Sequence, residues 1–357
     1  MSSIYKFISL VMTMLLALTA SSCSRTNEEH FETKVTVTNF KFNDVIIMEN
    51  KDVKSNIYKI NNNSLAKVDS LEYVSEIAYK KDASLYILLL HDENEIKKNS
   101  INILKNDKVS NINEFYYAKD LRISPKGGNL AYRSYSSQSL DSAEGLSLYG
   151  IDTREKIQFN SSVLVSGNLF HWINDDEILY YGVCDETRTT AIYKYNVKDN
   201  KEEIYTKLPK GYYTYFLPYE NNLMILSRDL NKNTIYLYER DSDKIISISE
   251  SIEEIYDGVY NKMNNAMYII GLEKGSDLPA LYSINLENNK VERITFDFPV
   301  EADPYGGLKV DDEGSVYYCG YTGLDGQNNE VFKYNPKDNS NSLISINPSK
   351  YRIIGSN

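Results

Sequence analysis

The sequence predicts an all-β fold, a β-propeller built from seven four-stranded antiparallel blades. From Val35 onward, short runs of alternating apolar and polar residues are separated by clusters of Asn, Asp, Lys and Gly, which is the pattern of strands and turns. No run of twelve residues has the periodicity of an amphipathic helix. The strand pattern repeats about every 46 residues, a period typical of a propeller blade.

Each repeat contains a strand of the order apolar, aromatic, any residue, apolar, polar. Copies of this strand begin at Ile57, Ile101 (a degenerate copy), Leu148, Ile192, Ile235, Leu281 and Val331. The apolar strands that precede these copies are Val45–Met48, Leu85–Leu89, Leu130–Tyr132, Ile178–Tyr181, Leu223–Leu226, Met267–Ile270 and Val316–Tyr318. With an inner strand such as Leu169–Ile173 before them and another strand after each copy, every repeat forms a four-stranded meander.

The blade count stays open to six or eight because two terminal strands compete for one position. Lys34–Phe40 and Tyr351–Ile354 both have the strand pattern. If they lie in one sheet, the termini close the ring and remove an exposed sheet edge. A β-sandwich array is the alternative architecture, but it needs a period of about 90 to 100 residues.

The first residues have the layout of a secretory signal peptide. Lys6 precedes an uncharged run from Phe7 to Ala20, and small residues follow directly before Cys23. About 14 apolar residues are too few to span a bilayer. The tetrad Ala20-Ser21-Ser22-Cys23 resembles a bacterial lipobox, which implies cleavage before Cys23 and attachment of lipid, such as palmitate, to this residue. A secretory signal with an incidental Cys23 is the alternative.

These features predict three segments: a signal peptide at 1–22, a flexible tether at 23–33 and a single propeller domain at 34–357. Two or more acyl chains on Cys23 would hold the protein on a membrane. Acidic residues behind Cys23 resemble the surface-export signal of Bacteroidetes lipoproteins. We therefore expect an extracytoplasmic protein of the bacterial cell envelope, at the outer membrane or cell surface in a Gram-negative cell.

Three stretches resemble turns of known propeller families. Ser124–Tyr132 is similar to the Ser-Pro-Asp-Gly-Lys-x-Leu-Ala-Tyr turn of TolB-type, WD40-like repeats, with Lys126 where Asp is usual, and Trp172–Tyr180 is a looser copy. Val310–Tyr317 is similar to the first turn of NHL-like blades. The resemblance implies the fold and carries no function. Some relatives attach a serine peptidase domain, but no Gly-x-Ser-x-Gly elbow occurs in this sequence.

Charge and histidine content exclude several function classes. The formal net charge is −11, and no basic block is longer than two lysines, which argues against a nucleic-acid partner. Of the three histidines, His30 lies in the tether, His91 in a polar loop and His171 on an inner strand, where we expect it to pack. No nucleophile and base are therefore recognisable.

No spacing of zinc ligands is visible in the sequence. We expect no cofactor, with calcium as the one alternative. Asp229, Asn231 and Asn233, and the segment Asp325–Glu330, place oxygen ligands in loops but lack the Gly and distal Glu of an EF-hand loop. Cys184 and Cys319 fall on blades four and seven, across the ring from each other. They are therefore expected to be free, buried thiols.

Candidate ligand-binding residues lie where the longer loops emerge. In an antiparallel meander, the second-to-third loops and the links between blades share one face, and such loops carry binding sites. Tyrosine suits sugar stacking or a protein hot spot, although strand packing is the alternative for each one. The candidates are Tyr116, Tyr117, Arg188, Tyr212, Tyr213, Tyr215 and Tyr305.

The function that the sequence favours is a membrane-anchored binding or interaction module for a protein or glycan partner. A carbohydrate-active enzyme with paired carboxylates in the channel is one alternative, and an envelope sensor or assembly factor is another. Carboxylates converging within about 10 Å in the channel would favour the enzyme. A rim lined by tyrosines would favour the binding module.

Overall fold

The computed structural model describes residues 45–106, 108–207, 211–230, 232–323 and 326–355. These residues form seven antiparallel sheets that are the blades of a propeller, which confirms the predicted fold class. The signal peptide, the tether with Cys23 and the strand predicted at Lys34–Phe40 lie outside the described residues. Among the residues described, no helix is long and apolar enough to cross a membrane.

Six blades are consecutive along the chain, and one combines both ends of the described chain. Blade 1 consists of β1 (Val45–Lys51), β2 (Lys54–Asn61), β3 (Ser64–Glu72) and β29 (Tyr351–Gly355); blade 2 of β4 (Val74–Lys80), β5 (Leu85–His91), β6 (Asn99–Lys105) and β7 (Lys108–Ile112); and blade 3 of β8 (Tyr117–Ile123), β9 (Asn129–Tyr135), β10 (Ala143–Gly150) and β11 (Glu155–Ile157).

The remaining four blades follow the same order. Blade 4 consists of β12 (Val163–Trp172), β13 (Glu177–Cys184), β14 (Thr190–Asn196) and β15 (Lys201–Thr206); blade 5 of β16 (Tyr212–Tyr219), β17 (Asn222–Asp229), β18 (Lys232–Glu239) and β19 (Lys244–Ser249); blade 6 of β20 (Ile252–Asn261), β21 (Ala266–Glu273), β22 (Ala280–Asn285) and β23 (Lys290–Arg293); and blade 7 of β24 (Glu301–Ala302), β25 (Leu308–Val310), β26 (Val316–Tyr321), β27 (Glu330–Asn335) and β28 (Ser340–Leu343). In blade 7, β24 and β25 share the inner position.

The middle strands of each blade are buried on both faces, because neighbouring blades pack against both sides. In β13, for example, Ile178, Leu179 and Tyr180 are all fully buried. This double burial produces the nearly continuous apolar runs from which the repeat was recognised. Most of the repeated tyrosines, such as Tyr193 and Tyr282, are buried in these strands.

The turn at Ser124–Gly128, which resembles the TolB-type turn, joins three blades. Asp175 of blade 4 accepts hydrogen bonds from the Ser124 hydroxyl at 2.6 Å and from the Lys126 backbone N–H at 2.9 Å. Gly127 has a φ of +78°, and a Cβ there would lie 2.9 Å from the Cβ of Ala83 in blade 2. The turn therefore requires glycine for its conformation and for close packing.

The C-terminal strand closes the ring. β29 takes the inner position of blade 1 and pairs antiparallel with β1, with Val45 opposite Gly355. The competition for this position is thus resolved by the C-terminal strand, and the blade count is seven. On its other side, β29 contacts blade 7, where the Ile353 N–H donates to the Gly306 carbonyl at 2.7 Å and Tyr351 exchanges two hydrogen bonds with the Asn329 side chain.

A buried carboxylate reinforces this closure. Glu49 of β1 accepts hydrogen bonds from Asn56, Tyr58 and Ser349, the last of which precedes β29. Burial alone would raise the pKa of Glu49, but these bonds and nearby Lys51 lower it to about 2. Glu49 is therefore ionised throughout the physiological range and holds both sides of the closing sheet.

Deleting residues 351–357 should lower the melting temperature by at least ~5 °C, because β1 loses its ladder partner and blade 7 loses its neighbour. Differential scanning calorimetry measures the change. Truncation after Gly355 is the matched control, because it leaves β29 intact. Equal melting temperatures for the two truncated proteins would contradict a stabilising role for β29.

Candidate functional site

The inner strands form a closed circle around the central channel. Each inner strand contacts the next one around the ring, and β29 contacts β4, which completes the circle. The residues that project from these strands are therefore the lining of the channel, and several of them are charged.

Most inner strands contain a β-bulge near the charged residues. Register shifts occur between Val74 and Glu76, Lys119 and Arg122, Val165 and Phe170, Tyr213 and Tyr215, and Ile255 and Asp257. A bulge bends the strand and leaves backbone N–H groups without a ladder partner. Such groups must find other acceptors when they are buried.

Two channel carboxylates accept hydrogen bonds from backbone N–H groups of the next blade. Glu76 of blade 2 accepts from Leu121 at 2.7 Å and from Asp120 at 3.1 Å, one bond for each carboxylate oxygen. Asp257 of blade 6 accepts from Leu308 of blade 7 at 2.9 Å and from Gly258 at 2.8 Å. Both carboxylates therefore connect consecutive inner strands.

Other channel side chains also reach the following blade. The guanidinium of Arg122 lies 5.5 Å from the centre of the Phe170 ring, and the His171 ring lies 4.9 Å from that of Phe216. A Cβ at Gly258 would come within 2.9 Å of the Tyr215 hydroxyl.

The circle of contacts is completed by two cations. The Lys309 side chain runs along Gly355, where a Cβ would lie 2.5 Å from the lysine Cδ. Arg352 of β29 donates to the Ser75 carbonyl of β4 at 3.5 Å. Every inner strand thus contacts the next through a side chain.

Five of these residues form what we call the channel cluster: Arg122, His171, Tyr215, Asp257 and Lys309. Each retains some water-accessible surface although protein surrounds it, as expected for a channel lining. Each comes from a different blade, from blade 3 to blade 7.

Burial controls protonation in the channel cluster. It lowers the pKa of His171 well below its usual value, and the Arg122 charge lowers it further, so this imidazole is neutral at pH 7. Burial lowers the pKa of Lys309, against the attraction of Asp257. It raises the pKa of Asp257, against Lys309, backbone hydrogen bonds and Arg122. Burial also raises the pKa of Tyr215.

Arg122 is the least satisfied member of the channel cluster. Its Nε is buried without a hydrogen-bond partner, and among the described residues its guanidinium donates no hydrogen bond to any protein acceptor. The Phe170 ring contact offers only a cation–π interaction. A buried donor without an acceptor costs about 1–3 kcal/mol, and more when it is charged.

The predicted ligand-binding residues lie in three environments. Tyr215 belongs to the channel cluster, and Tyr213 is buried against Tyr181 with ring centres 4.5 Å apart. Tyr212 and Tyr305 are exposed, and Arg188 is an exposed loop residue paired with Asp185.

The last two predicted residues lie on blade 3 and its link. The Tyr116 hydroxyl donates to Glu95 at 2.6 Å and accepts from Gln138 at 2.7 Å, and these partners lie in the long loops of blades 2 and 3. Tyr117 packs against Tyr135. The seven predicted residues are therefore not one site, although Tyr116 organises two of the loops.

The loops and links emerge on the face that connectivity predicts. We call this side the link face; it carries the second-to-third loops, such as 92–98, 136–142 and 185–189, and the links between blades, such as 344–350. The opposite side, the turn face, carries the short turns 124–128 and 262–265, among others. Val45, where the described chain begins, lies at the turn-face end of β1.

Exposed large apolar side chains concentrate on the link face. Met263, 66% exposed, is the turn-face example among the described residues, and four others, Val68, Val109, Ile204 and Leu343, lie on outer strands. The rest are at or near the link face: Val53, Ile96, Leu140, Leu164, Tyr212, Leu230, Phe296, Phe298, Tyr305 and Ile346.

The sequence also predicted two free thiols and two calcium-type loops. Cys184 and Cys319 are free and buried, as predicted. Asn231 and Asp325 of the calcium-type loops lie outside the described residues. Within the described part of the chain, no cluster of three His, Cys, Asp or Glu side chains has the geometry to hold a metal ion.

Comparisons with known proteins support the fold. The sequence matches no family model, and no curated protein matches it. A prolyl endopeptidase structure aligns with a TM-score of 0.58 at 9% identity, covering 88% of this chain and 50% of that one. Oligogalacturonate lyase in complex with manganese aligns with a TM-score of 0.54 at 12% identity, covering 76% and 77%. TolB from Acinetobacter baumannii aligns with a TM-score of 0.48 at 10% identity, covering 87% and 82%.

At these identities, the similarity shows the propeller fold alone. The chain spans about half the length of the prolyl endopeptidase that it matches. Similarity at this level does not choose between the functions that the sequence left open.

The contribution of Glu76 to the stability of the protein should fall as the pH rises from about 5 to about 7, whereas the lowered pKa of His171 acts in the opposite direction. Burial raises the pKa of Glu76 to about 7, against the two backbone hydrogen bonds, whereas its ordinary value is 4.5. Between these values the folded protein binds more protons than the unfolded chain, so the free energy of unfolding falls with rising pH, by up to about 3 kcal/mol from this group.

Urea denaturation of Glu76→Gln at pH 5 and pH 7.5 tests this assignment. The unfolding free energy at pH 5 minus that at pH 7.5 should be smaller in Glu76→Gln than in the wild type, by up to about 3 kcal/mol. Glu93→Gln, at an exposed loop position, is the control and should keep the wild-type difference. An unchanged difference in Glu76→Gln would show that another group causes the pH dependence.

Proposed function

We propose that this protein is a non-catalytic binding propeller that docks a partner protein on its link face. The observation that carries the proposal is the concentration of exposed apolar side chains on this face. Large exposed apolar patches on soluble domains mark interaction sites. Leu230 and Ile346 are 95% and 84% exposed, although nothing in the described fold requires an apolar residue in these loops.

The chemistry of the link face favours a protein over a glycan. Aliphatic residues such as Ile96, Leu140, Leu230 and Ile346 gain most from burial against another apolar surface. A glycan would stack on rings, for which Tyr212, Phe296 and Tyr305 are available. A glycan partner is therefore the second candidate.

Two long loops of the link face are held in position before any partner binds. Besides its bonds to Glu95 and Gln138, Tyr116 is linked through Gln138 to Lys97, which donates to the side-chain Oε1 of Gln138 at 3.1 Å. Inside loop 136–142, Ser142 bonds the backbone of Ser137 and Ser139. Loops ordered in advance lose less entropy on binding.

The channel carboxylates argue against the alternative of a carbohydrate-active enzyme. Acid and base catalysis needs carboxyl groups that are free to exchange protons with a substrate. Glu76 uses both oxygens on backbone N–H groups of blade 3, and Asp257 does the same at blades 6 and 7. Their role is to hold the ring together.

The anchoring follows from the N-terminal sequence. We propose that Cys23 is lipidated and holds the protein on the outer side of a bacterial membrane. An envelope sensor or assembly factor is an alternative function that would use the same anchor. The described chain begins at Val45, at the turn-face end of β1.

Site-specific photo-crosslinking tests the binding face. A photoreactive phenylalanine analogue is placed at Leu140 or Ile346 on the link face and at Met263 on the turn face, all of which are exposed. After irradiation of intact cells, link-face probes should give discrete crosslinked protein bands and the Met263 probe should not. Equal bands from both faces, or bands from the Met263 probe alone, would refute the proposal, and glycan-sensitive crosslinks would favour the second candidate.

Membrane release tests the anchor. Cys23→Ala should move the protein from the membrane fraction to the soluble extracytoplasmic fraction, because the attachment site for the acyl chains is removed. Cell fractionation followed by immunoblotting gives the distribution. Cys184→Ala is the matched control and should stay with the membrane. Membrane retention of the Cys23 variant would show that another feature anchors the protein.

A further inference from the structure

We propose that the channel cluster binds the carboxylate group of a small anionic ligand, with Arg122 as its main contact and Lys309 as a second cation. This site is separate from the link-face partner surface and goes beyond the proposed function.

The argument starts from the unused donors of Arg122. The buried Nε has no acceptor, and the two terminal nitrogens keep accessible surface in the channel, since among the described residues no acceptor binds them. A guanidinium presents its N–H groups as a planar fork that matches the two oxygens of a carboxylate. Arg122 is therefore a channel cation with hydrogen-bond donors that no described residue uses.

Among the described residues, the groups near Arg122 do not act as hydrogen-bond acceptors for its guanidinium. Asp257 and Glu76 are the carboxylates whose charges interact with Arg122. In both, each carboxylate oxygen accepts a hydrogen bond from a backbone N–H group. His171 is neutral and hydrogen bonds the Phe216 backbone. Arg122 thus has hydrogen-bond donors in the channel for which the described residues provide no acceptor.

Charge balance points to a ligand with one negative charge. Lys309 and Asp257 attract each other, and Glu76, with a pKa of about 7, offsets the charge of Arg122 only in part at neutral pH. A monoanionic carboxylate would neutralise it, whereas a doubly charged phosphate would place an excess negative charge in an enclosed channel.

Thermal melting with defined anions tests the site. The purified mature domain is titrated with sodium acetate or sodium D-glucuronate at constant ionic strength set with sodium chloride, and with neutral D-glucose. We expect a saturable rise in melting temperature with the carboxylates and none with glucose. Inorganic phosphate should be weaker than either carboxylate.

Variants assign the effect to the channel. Arg122→Gln should weaken carboxylate binding at least about tenfold, which is the usual consequence of losing a charged hydrogen-bonding partner, and Lys309→Met should weaken it several-fold. Arg188→Gln, at an exposed loop position, should bind like the wild type.

The proposal is overturned if the wild-type protein shows no saturable carboxylate effect, or if Arg122→Gln retains it. The wild-type titration decides the question even if Arg122→Gln does not fold, and Lys309→Met then supplies the assignment. Link-face crosslinking of a folded Arg122→Gln protein should be unchanged, so this site and the partner surface can fail independently.

Discussion

The unpaired backbone N–H groups at the bulged inner strands are the constraint on which this propeller depends. Seven strands can meet around a narrow axis only if they bend, and a bulge bends a strand at the cost of its ladder bonds. The Glu76 carboxylate accepts the two groups that the bulge in the following strand frees, and Asp257 accepts the Leu308 N–H of its following strand. The same requirement therefore brings charge into the channel and joins one blade to the next.

The repeat made the outer three strands of each blade predictable, because burial on both faces leaves long apolar runs in the middle strands. The inner strands were harder to predict. β12 begins at Val163, earlier than the predicted Leu169, because the register shift between Val165 and Phe170 interrupts the alternation. Ring closure by β29 depended on pairing partners some 300 residues apart, which local patterns do not encode.

The channel cluster was not predictable for a related reason. Arg122, His171, Asp257 and Lys309 occupy different blades, and each looks in sequence like an isolated polar residue in a short strand. His171 was expected to pack in the structure. It does pack against the Phe216 ring, but it also lies near the cations Arg122 and Lys309. The useful signal was a charged residue recurring at the inner strand of successive repeats. The link face was predictable, because antiparallel connectivity alone decides on which side loops emerge.

The position of β29 also determines how the propeller would carry mechanical load. Val45 begins β1, and β1 lies between β29 and β2 with ladder bonds on both sides. A pull on the chain before Val45 acts along the strand, so both ladders resist in shear and their bonds must break together. The sheet formed by the two chain ends is thus the one best arranged to resist traction from an N-terminal attachment.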